Sequence, residues 1–253
     1  MHSCGFNGTI DFILITDNRH LTQNLCVPSN VRLCYMTIKE IEILATKKFG
    51  IPTKIEYPYK LCDYKPAYGL LFEEILTGYD FWAQTDIDVI FGEIRAFLDS
   101  KTLLNDYIGV RHDYTAGCFF ACRNNDRMKT IFMQSKDFIK VFSTSKHYCF
   151  DECNFEHQAL RDGMSIFDLN CEIESYTYII RSAERNGLIK AHFDFMIIEG
   201  LTGKIKFDRG KLIFRNTWEA MLYHLYYFKD MALIKHKSST VPDSYRISKT
   251  RIY

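Results

Sequence analysis

Two carboxylates, Asp86 and Asp88, stand one residue apart at the end of an apolar and aromatic run, GYDFWAQTDIDVIFG (78–92). In a turn, residues i and i+2 can present both carboxylates to one hard cation and leave its other positions to water and phosphate oxygens. A bound Mg²⁺ or Mn²⁺ would then neutralise a diphosphate leaving group. The alternative is an ordinary turn, in which each Asp caps a backbone amide.

The segments on either side of this pair predict the elements that position it. Short apolar runs that end in turn formers predict strands, and amphipathic segments with capping residues predict helices. The predicted strands are 9–18, 31–38, 80–85, 106–111 and 117–123, and the predicted helices are 39–50, 66–78, 89–100 and 124–142. Their alternation is typical of an α/β fold with a mainly parallel central sheet flanked by helices. Ligands bind such sheets at the carboxyl ends of the strands, where the two carboxylates fall.

The last third of the chain has a different pattern. Two alternating segments around an Asp-Arg-Gly turn predict a hairpin over 204–216, and a helix is predicted over 217–233. No linker divides the chain, so we predict a single domain over 1–234. The polar and basic residues 235–253 predict a loosely held tail, whose cations touch either anionic lipid or only water. These cations are Lys235, Lys237, Arg246, Lys249 and Arg251.

Composition and charge argue against several classes of protein. Lys and Arg total 32 and Asp and Glu total 31, so the net charge is +1 and nothing favours binding to nucleic acid. The first residues lack a long apolar region, and no segment approaches the roughly 18 apolar residues of a membrane span. We therefore expect a soluble, cytoplasmic protein with at most peripheral contact to the inner face of the cell membrane. Assembly of the chain into a homo-oligomer is compatible with the sequence.

Nine cysteines are present without a C-x-x-C motif. Cys118 and Cys122 lie in CFFAC, which alternates like a strand, and Cys149 and Cys153 have the same spacing in CFDEC. Residues four apart on a strand are roughly 13 Å apart, too far to hold one tetrahedral zinc ion. We therefore expect reduced thiols in a cytosolic protein.

A longer pattern surrounds the carboxylate pair and resembles a known family. The segment YPYKLCDYKPAYGLLFEEILTGYDFWAQTDIDVIFGEIRAFL (57–98) contains a K-x-C-D-[FY]-K-P-x-[YF]-G block and a W-x-x-x-D-[IL]-D-x-[IV]-[FY]-G block. Both blocks resemble the centre of a bacterial family of proposed glycosyltransferases with the GT-A fold, and weaker similarity covers most of the chain. More distantly, the chain is similar to galactosyltransferase-like enzymes. The resemblance implies sugar transfer from a nucleotide-diphosphate donor to a glycan or lipid-linked acceptor, in bacterial surface polysaccharide synthesis.

The resemblance also implies a metal site. Asp86 and Asp88 match the DxD motif that holds the Mn²⁺ or Mg²⁺ ion and the diphosphate of the donor. His224 falls where a histidine near the C-terminus completes such a site. The alternative for His224 is an ordinary imidazole on an amphipathic helix.

Three further residues are candidates for binding the donor. Lys65 matches a cation that faces the phosphates or the sugar, and its alternative is a solvated lysine at a helix start. Gly117 lies in a segment that resembles the small-residue turn lining the donor sugar, and its alternative is a plain strand-start glycine. Asp17 closes the first predicted strand and is a candidate for contact with the nucleotide.

The segment FDECNFEHQAL (150–160) resembles the one that places an acidic residue beside the reacting sugar carbon. Asp151 is the candidate, and Glu152 is its rival. As a general base, one of them would deprotonate the acceptor hydroxyl. If the reaction retains configuration, it would instead position the acceptor or stabilise positive charge on the sugar. The alternative is that Asp151 caps a helix beginning at Glu152.

One departure from the family concerns the start of the chain. Members usually begin with a further apolar strand that helps to bind the nucleotide, and MHSCGFNG (1–8) corresponds to the segment after it. We therefore expect the first nucleotide-binding strand to be missing, either because the start is truncated or because this copy lacks part of its nucleotide pocket. Its loss would leave a sheet edge exposed or filled by a partner.

Two other functions stay open. A catalytically impaired GT-A-like domain would bind a nucleotide sugar or a partner protein without turnover, and the missing strand favours this reading. Phosphohydrolases of the haloacid dehalogenase type also carry D-x-D-x-[TV], but here the fifth position is Ile90 and the motif does not lie on the first strand.

Overall fold

The computed structural model describes residues 1–232 and 241–253. The chain has a mixed α/β structure that divides into two compact units. Unit 1 consists of Met1–Met36, Ile87–Asp99 and Met196–Tyr253, and unit 2 consists of Thr37–Asp86 and Ser100–Phe195. Because both units are built from separate stretches of chain, no single linker in the sequence marks a boundary between them. No helix in the described residues is long and apolar enough to cross a lipid bilayer.

The described strands are short. They are β1 (Phe12–Thr16), β2 (Val31–Tyr35), β3 (Phe81–Thr85), β4 (Val89–Phe91), β5 (Tyr107–Gly109), β6 (Phe119–Arg123), β7 (Ala191–Phe193), β8 (Ile197–Ile198), β9 (Ile205–Asp208), β10 (Lys211–Phe214), β11 (Trp218–Ala220), β12 (Leu222–His224) and β13 (Ser244–Ile247).

The described helices include several of a single turn. The α-helices are α1 (Ile38–Phe49), α2 (Tyr68–Leu71), α3 (Ile94–Phe97), α4 (Asp126–Thr130), α5 (Phe138–Ser143), α6 (His157–Arg161), α7 (Tyr176–Arg185) and α8 (Phe228–Met231). The 3₁₀ helices are His2–Phe6, Leu21–Asn24, Pro58–Ala67, Thr102–Leu104, Ile131–Gln134 and Ile166–Asp168.

Unit 2 is built around one four-stranded sheet with the order β3-β6-β5-β7. Strands β3 and β5 both pair antiparallel with β6, and β7 pairs parallel with β5. Aromatic rings pack on this sheet, where Tyr107 and Tyr176 approach Phe120 with ring centroids 5.9 and 5.3 Å away. The sheet therefore holds β3, and with it Asp86, against a fully buried aromatic core.

The described residues of unit 1 contain three further sheets. Strands β1 and β2 form a parallel pair, β4-β12-β8 form a three-stranded sheet, and β11-β10-β9-β13 form an antiparallel sheet. The second and third sheets share a core that includes Ile90, Phe207 and Tyr223. Within the three-stranded sheet, the antiparallel register of β4 and β12 sets His224 opposite Val89, the residue after Asp88.

Several predicted elements are confirmed where the signal was local. The hairpin predicted over 204–216 is formed by β9 and β10. Helix α1 begins with a capping box between Thr37 and Glu40, and it ends at Gly50, whose φ of 69° is left-handed. The strands predicted at 9–18 and 80–85 contain β1 and β3.

The prediction of a mainly parallel sheet is wrong for the described residues. Parallel pairs are confined to β1 with β2, β5 with β7, and β8 with β12, whereas the remaining described pairs are antiparallel. A parallel connection needs a crossover of about a dozen residues or more. The segment 110–118 between β5 and β6 contains no helix and is shorter than that, so these two strands pair antiparallel.

The helix predicted over 217–233 is also wrong in its first half. Residues Trp218–Ala220 and Leu222–His224 are strands β11 and β12, and of the described residues 217–232 only Phe228–Met231 are helical. Strand β12 lies between two neighbours and is apolar on both faces, with Leu222 and Tyr223 fully buried. Such a run does not alternate, so its sequence resembles that of a buried helix.

Other predicted helices are shorter than expected. The segment 89–100 begins with β4, and its helix is limited to Ile94–Phe97. The segment 124–142 does begin at the Asn125 cap, but it is broken into α4, a 3₁₀ turn and α5. Over 66–78 the 3₁₀ helix Pro58–Ala67 continues into the single turn of α2. Gly69 in α2 packs against Trp82, because a Cβ at this position would lie 2.4 Å from the indole ring.

The predicted tail is only in part described. Lys235 and Lys237 lie outside the described residues. The prediction of a loose tail is wrong for Ser244–Ile247, which form β13 along β9. The ring of Tyr245 stacks on Phe207 at 4.8 Å, so apolar contact anchors a segment whose composition is polar and basic.

Candidate functional site

The centre of unit 2 holds a cluster of one lysine and two aspartates, Lys65, Asp86 and Asp151, which we call the lysine cluster. Lys65 Nζ lies 2.6 Å from Asp86 Oδ1 and 3.4 Å from Asp151 Oδ2. It also donates a hydrogen bond of 2.8 Å to the carbonyl of Gly117. Lys65 is 7% exposed and Asp151 is 3% exposed, so the ammonium and this carboxylate are nearly withdrawn from water.

Each member of the lysine cluster comes from a different element. Lys65 lies near the end of the 3₁₀ helix Pro58–Ala67, and Asp86 follows β3, where its N–H donates to the carbonyl of Cys118 at 3.1 Å. The turn carrying Asp151 is held by Thr115, whose hydroxyl donates to the Asp151 carbonyl at 2.8 Å. Three distant segments must therefore pack correctly before these charges meet.

Burial and charge act in opposite directions in this cluster. Burial alone would lower the pKa of Lys65, but the carboxylates of Asp151 and Asp86 outweigh it and raise that pKa above its usual range. For Asp151 burial prevails over the attraction of Lys65 and raises the pKa of the carboxyl group well above its ordinary value. Asp151 therefore binds a proton more readily than an ordinary aspartate does.

Gly117 is packed directly against the two acidic candidates. A Cβ at this position would lie 2.4 Å from Asp151 Oδ2 and 3.2 Å from Glu152 Oε1. The N–H of Gly117 donates to Glu152 Oε1 at 2.7 Å, while its carbonyl accepts from Lys65 and from Gln84 Nε2. The close approach at Gly117 is therefore to carboxylates of the chain itself.

Glu152 is more tightly engaged than Asp151. Its Oε1 accepts from Gly117, and its Oε2 lies 2.7 Å from His157 Nε2 and 3.5 Å from Cys149 Sγ. Burial works to raise the pKa of Glu152, but the hydrogen bonds from His157 and Gly117 outweigh it and lower that pKa. Both oxygens of Glu152 are therefore occupied by contacts within the chain.

The alternative of Asp151 as a helix cap is wrong. The helix predicted to begin at Glu152 begins at His157, and its N-cap residue is Glu156. Residues 150–155 form turns, with left-handed backbone at Asn154 and Phe155.

Unit 1 holds a second cluster, Asp88, His224 and Lys229, which we call the histidine cluster. His224 Nε2 lies 3.5 Å from Asp88 Oδ1, and Lys229 Nζ donates to Asp88 Oδ2 at 2.8 Å. The carbonyl of Asp88 also accepts from the N–H of Leu225 at 2.8 Å. The pairing of β4 with β12 brings Asp88 and His224 together although they are far apart in the sequence.

The histidine cluster is open to water and still strongly polarised. The side chains of Asp88 and His224 are 22% and 17% exposed, and that of Lys229 is 52% exposed. The neighbouring His224 lowers the pKa of Asp88 well below its usual range; burial opposes this shift and Lys229 adds to it. An ionised carboxylate beside an imidazole is a donor set that fits a divalent cation, whose other positions are completed by water or phosphate.

The structure brings most of the predicted site residues into two sets. Unit 2 holds Lys65, Asp86, Gly117, Asp151 and Glu152, and unit 1 holds Asp88 and His224. Asp17 lies in neither set and is exposed just after β1. Ile87, between Asp86 and Asp88, is 89% exposed.

Sequence reasoning missed two groups. Lys229 was not singled out, although it follows His224 by five positions in the segment that was predicted to be helical. Lys60 and Asp63 belong to the K-x-C-D block and form a fully buried ion pair at 2.9 Å. The block itself was the available signal, because it sets opposite charges three positions apart among apolar residues, and charged side chains are seldom fully buried unless they are paired.

Comparison with known proteins shows the family but no activity. A family model described as "Family of unknown function (DUF6625)" matches residues 1–253, so the chain belongs to this family. No curated protein and no solved structure matches the chain.

Proposed function

We propose that this chain is a metal-dependent glycosyltransferase of the DxD type. It would move a sugar from a nucleotide-diphosphate donor to a glycan or lipid-linked acceptor, in cytoplasmic synthesis of bacterial surface polysaccharide. One observation carries the proposal. Asp88 and His224, which the DxD resemblance relates to one metal ion, have side-chain atoms 3.5 Å apart. A coincidental resemblance would not require these distant residues to meet.

Asp88 and His224 would hold the Mn²⁺ or Mg²⁺ ion. Asp86 precedes Asp88 by two positions and is the first aspartate of the DxD motif. The charge of Asp86 is already balanced by Lys65 at 2.6 Å, which favours a role in donor binding over a role as the main metal ligand. When bound, the ion supplies positive charge for a departing diphosphate.

The lysine cluster supplies the groups for the proton and the sugar. In the transfer, the acceptor hydroxyl oxygen bonds to the anomeric carbon as the bond from that carbon to the diphosphate oxygen breaks. If configuration is inverted, the hydroxyl proton passes to the Asp151 carboxylate, whose raised pKa makes it the stronger base. If configuration is retained, the hydroxyl proton passes to the departing diphosphate oxygen and Asp151 positions the acceptor. Lys65 limits the charge that Asp151 and Asp86 place near an anionic donor.

A second candidate is a domain that binds a nucleotide sugar without turnover. The observation that favours it is the ion pair between Lys65 and Asp86, which occupies both groups that the resemblance relates to the donor. Binding of a nucleotide sugar without product, across a broad panel of acceptors, would support this candidate. Release of phosphate from a generic phosphomonoester would instead support a phosphohydrolase.

Thermal unfolding with UDP, GDP and CDP, each with and without Mn²⁺, tests the proposed donor site. A nucleotide at about 100 times its dissociation constant should stabilise the fold by roughly 2.7 kcal/mol, and the gain should depend on Mn²⁺. Asp88→Ala should abolish the Mn²⁺-dependent part. Asp230→Ala, which removes an exposed carboxylate from the same unit, is the matched control and should keep it.

Three results would count against the proposed donor site. These are a melting temperature that no nucleotide changes, a shift that does not need Mn²⁺, and an Asp88→Ala variant that responds like the wild type. Sugar transfer itself is then measured as release of the nucleoside diphosphate in the presence of acceptor glycans.

A further inference from the structure

A sulfur, a carboxylate oxygen and an imidazole nitrogen converge in unit 2 beside the lysine cluster. They belong to Cys149, Glu152 and His157, and the three ligand atoms lie within 4.8 Å of one another. We propose that these residues bind one zinc ion, at a site separate from the histidine cluster and independent of the proposed sugar transfer. We call them the thiol ligand set.

The distances suit a tetrahedral zinc ion. With Zn–S near 2.3 Å and Zn–N or Zn–O near 2.0 Å, ligand atoms on one tetrahedral ion stand about 3.3 to 3.5 Å apart. Cys149 Sγ lies 3.5 Å from Glu152 Oε2 and 3.8 Å from His157 Nε2. Only the hydrogen-bonded pair of Glu152 Oε2 and His157 Nε2, at 2.7 Å, has to separate, by roughly 0.6 Å, to admit the ion.

The surroundings orient the ligands for this role. Glu152 Oε1 accepts from the N–H of Gly117 at 2.7 Å, so Oε2 is turned towards Cys149 and His157. Such an outer contact is the usual way in which a protein aims a carboxylate at a metal. Cys149 is buried, whereas the side chains of Glu152 and His157 are 25% and 29% exposed, which leaves a path for the ion and for a water as fourth ligand.

The backbone of this segment is held in an unusual conformation. Cys149, Asn154 and Phe155 all have left-handed φ angles, of 52°, 53° and 70°, without being glycine. Asn154 stabilises the turn, since its N–H donates to the Cys149 carbonyl at 3.1 Å and its Nδ2 donates to the Tyr148 carbonyl at 2.9 Å. Backbone of this kind is concentrated at functional sites, where the fold maintains it at a cost in stability.

The ligands are also close in sequence, in the pattern C-x-x-E-x-x-x-x-H. Cys149 and Cys153 do not form an extended strand, so the strand spacing that argued against zinc does not apply to Cys149. The same three groups could suggest a cysteine nucleophile. However, the thiol stands 3.5 Å from the Glu152 carboxylate, and a negative neighbour opposes formation of a free thiolate. A cation bound between the groups removes this repulsion.

Cobalt substitution of the intact chain tests the site directly. The wild type, freed of metal with a chelator and titrated with Co²⁺, should show a thiolate-to-cobalt charge-transfer band and the visible bands of a tetrahedral complex. Competition with Zn²⁺ should remove both at one equivalent per chain. A wild-type cobalt spectrum without a thiolate band would overturn the proposal.

Variants identify the ligands. Cys149→Ser should lose the charge-transfer band, and His157→Asn should weaken Zn²⁺ binding at least about tenfold. Cys171→Ser, at another cysteine of unit 2, is the matched control and should behave like the wild type. Asp88→Ala should leave zinc binding unchanged, which separates this site from the proposed donor site.

Two outcomes would contradict the assignment of ligands. A band that survives in Cys149→Ser would place the sulfur ligand elsewhere. Unchanged Zn²⁺ affinity in His157→Asn, with circular dichroism like that of the wild type, would reduce the cluster to a hydrogen-bonded contact. The His157 side chain is partly exposed, so this variant gives an answer even if Cys149→Ser does not fold.

Discussion

Asp63 and Asp88 are held by the same two kinds of side chain, yet their surroundings differ. Asp63 lies 2.9 Å from Lys60 Nζ and 3.1 Å from His147 Nδ1, and Asp88 lies 2.8 Å from Lys229 Nζ and 3.5 Å from His224 Nε2. The side chains of Asp63 and Lys60 are completely buried. Those of the histidine cluster all reach water.

The buried aspartate has no capacity left for a ligand. Asp63 also accepts the N–H groups of Tyr148 and Phe150 at 3.0 and 2.8 Å, and Lys60 donates to two backbone carbonyls as well as to Asp63. The ion pair of Lys60 and Asp63 connects the segment before Asp151 to the 3₁₀ helix Pro58–Ala67. Asp88 can exchange Lys229 for another cation, because an exposed ion pair is weak. Burial therefore decides which charged trio is structural and which is available for binding.

The two aspartates should differ most in how much they contribute to the free energy of unfolding. Asp63→Ala leaves the Lys60 ammonium buried without its partner, which should lower the free energy of unfolding by about 3 to 5 kcal/mol. Asp88→Ala breaks a more exposed contact and should lower it by about 1 kcal/mol or less. Urea unfolding at pH 7 measures both. Equal losses would mean that burial does not distinguish the two sites.

A smaller loss in the free energy of unfolding is expected when the buried carboxylates beside Lys65 are displaced. Gly117→Ala puts a Cβ 2.4 Å from Asp151 Oδ2, so the Asp151 turn must shift, at a cost of about 1 to 3 kcal/mol. Gly8→Ala is the control, because a Cβ there has nothing within 4 Å. Urea midpoints of the two variants check this. A neutral Gly117→Ala would show that the acidic turn is loosely held.

The free energy of unfolding should fall as the pH falls below about 5, because the folded structure lowers the pKa of two aspartates. The pKa of Asp88 is lowered in the fold, and so is that of Asp63, where His147 and Lys60 outweigh the opposing effect of burial. A lowered pKa contributes stability above the unfolded value of about 3.9 and loses it as pH falls towards the folded value. Between pH 5 and pH 3 the wild type should lose about 1 kcal/mol more than Asp88→Asn.

Unfolding free energies of the two proteins at pH 5, 4 and 3 check this prediction. Asp63 is intact in both proteins, so the free energy of unfolding of Asp88→Asn should still fall with pH, but less steeply than that of the wild type. A steeper slope for Asp88→Asn than for the wild type would contradict the lowered pKa of Asp88.

The smallest expected change is in the affinity of the histidine cluster for Mn²⁺. Lys229→Met removes a cation that competes for Asp88 and should tighten Mn²⁺ binding by about two- to fivefold, as expected for an exposed ion pair. Titration calorimetry with Mn²⁺ measures it, and Lys211→Met, another partly exposed lysine of unit 1, is the control. Weaker Mn²⁺ binding in Lys229→Met would indicate that the lysine supports the site.

Elements with a local signal could be predicted from the sequence. The strand that delivers Asp86, the β9–β10 hairpin and α1 with its two caps depend on residues a few positions apart. The direction of strand pairing could not be predicted in this way, because it depends on which strands meet. The strand at His224 was taken for a helix because a strand buried on both faces does not alternate.

The order of residues alone places Asp86 and Asp88 after an apolar strand and puts Lys60, Asp63 and Lys65 in one motif. Their different surroundings come from the packing of distant segments. It buried Asp63, paired Asp86 with Lys65, and brought His224 to Asp88 through the β4–β12 register. It also gathered Cys149, Glu152 and His157 around one point. The physical reason is that the behaviour of a charged group depends on its access to water and on its neighbours, and distant parts of the chain provide both.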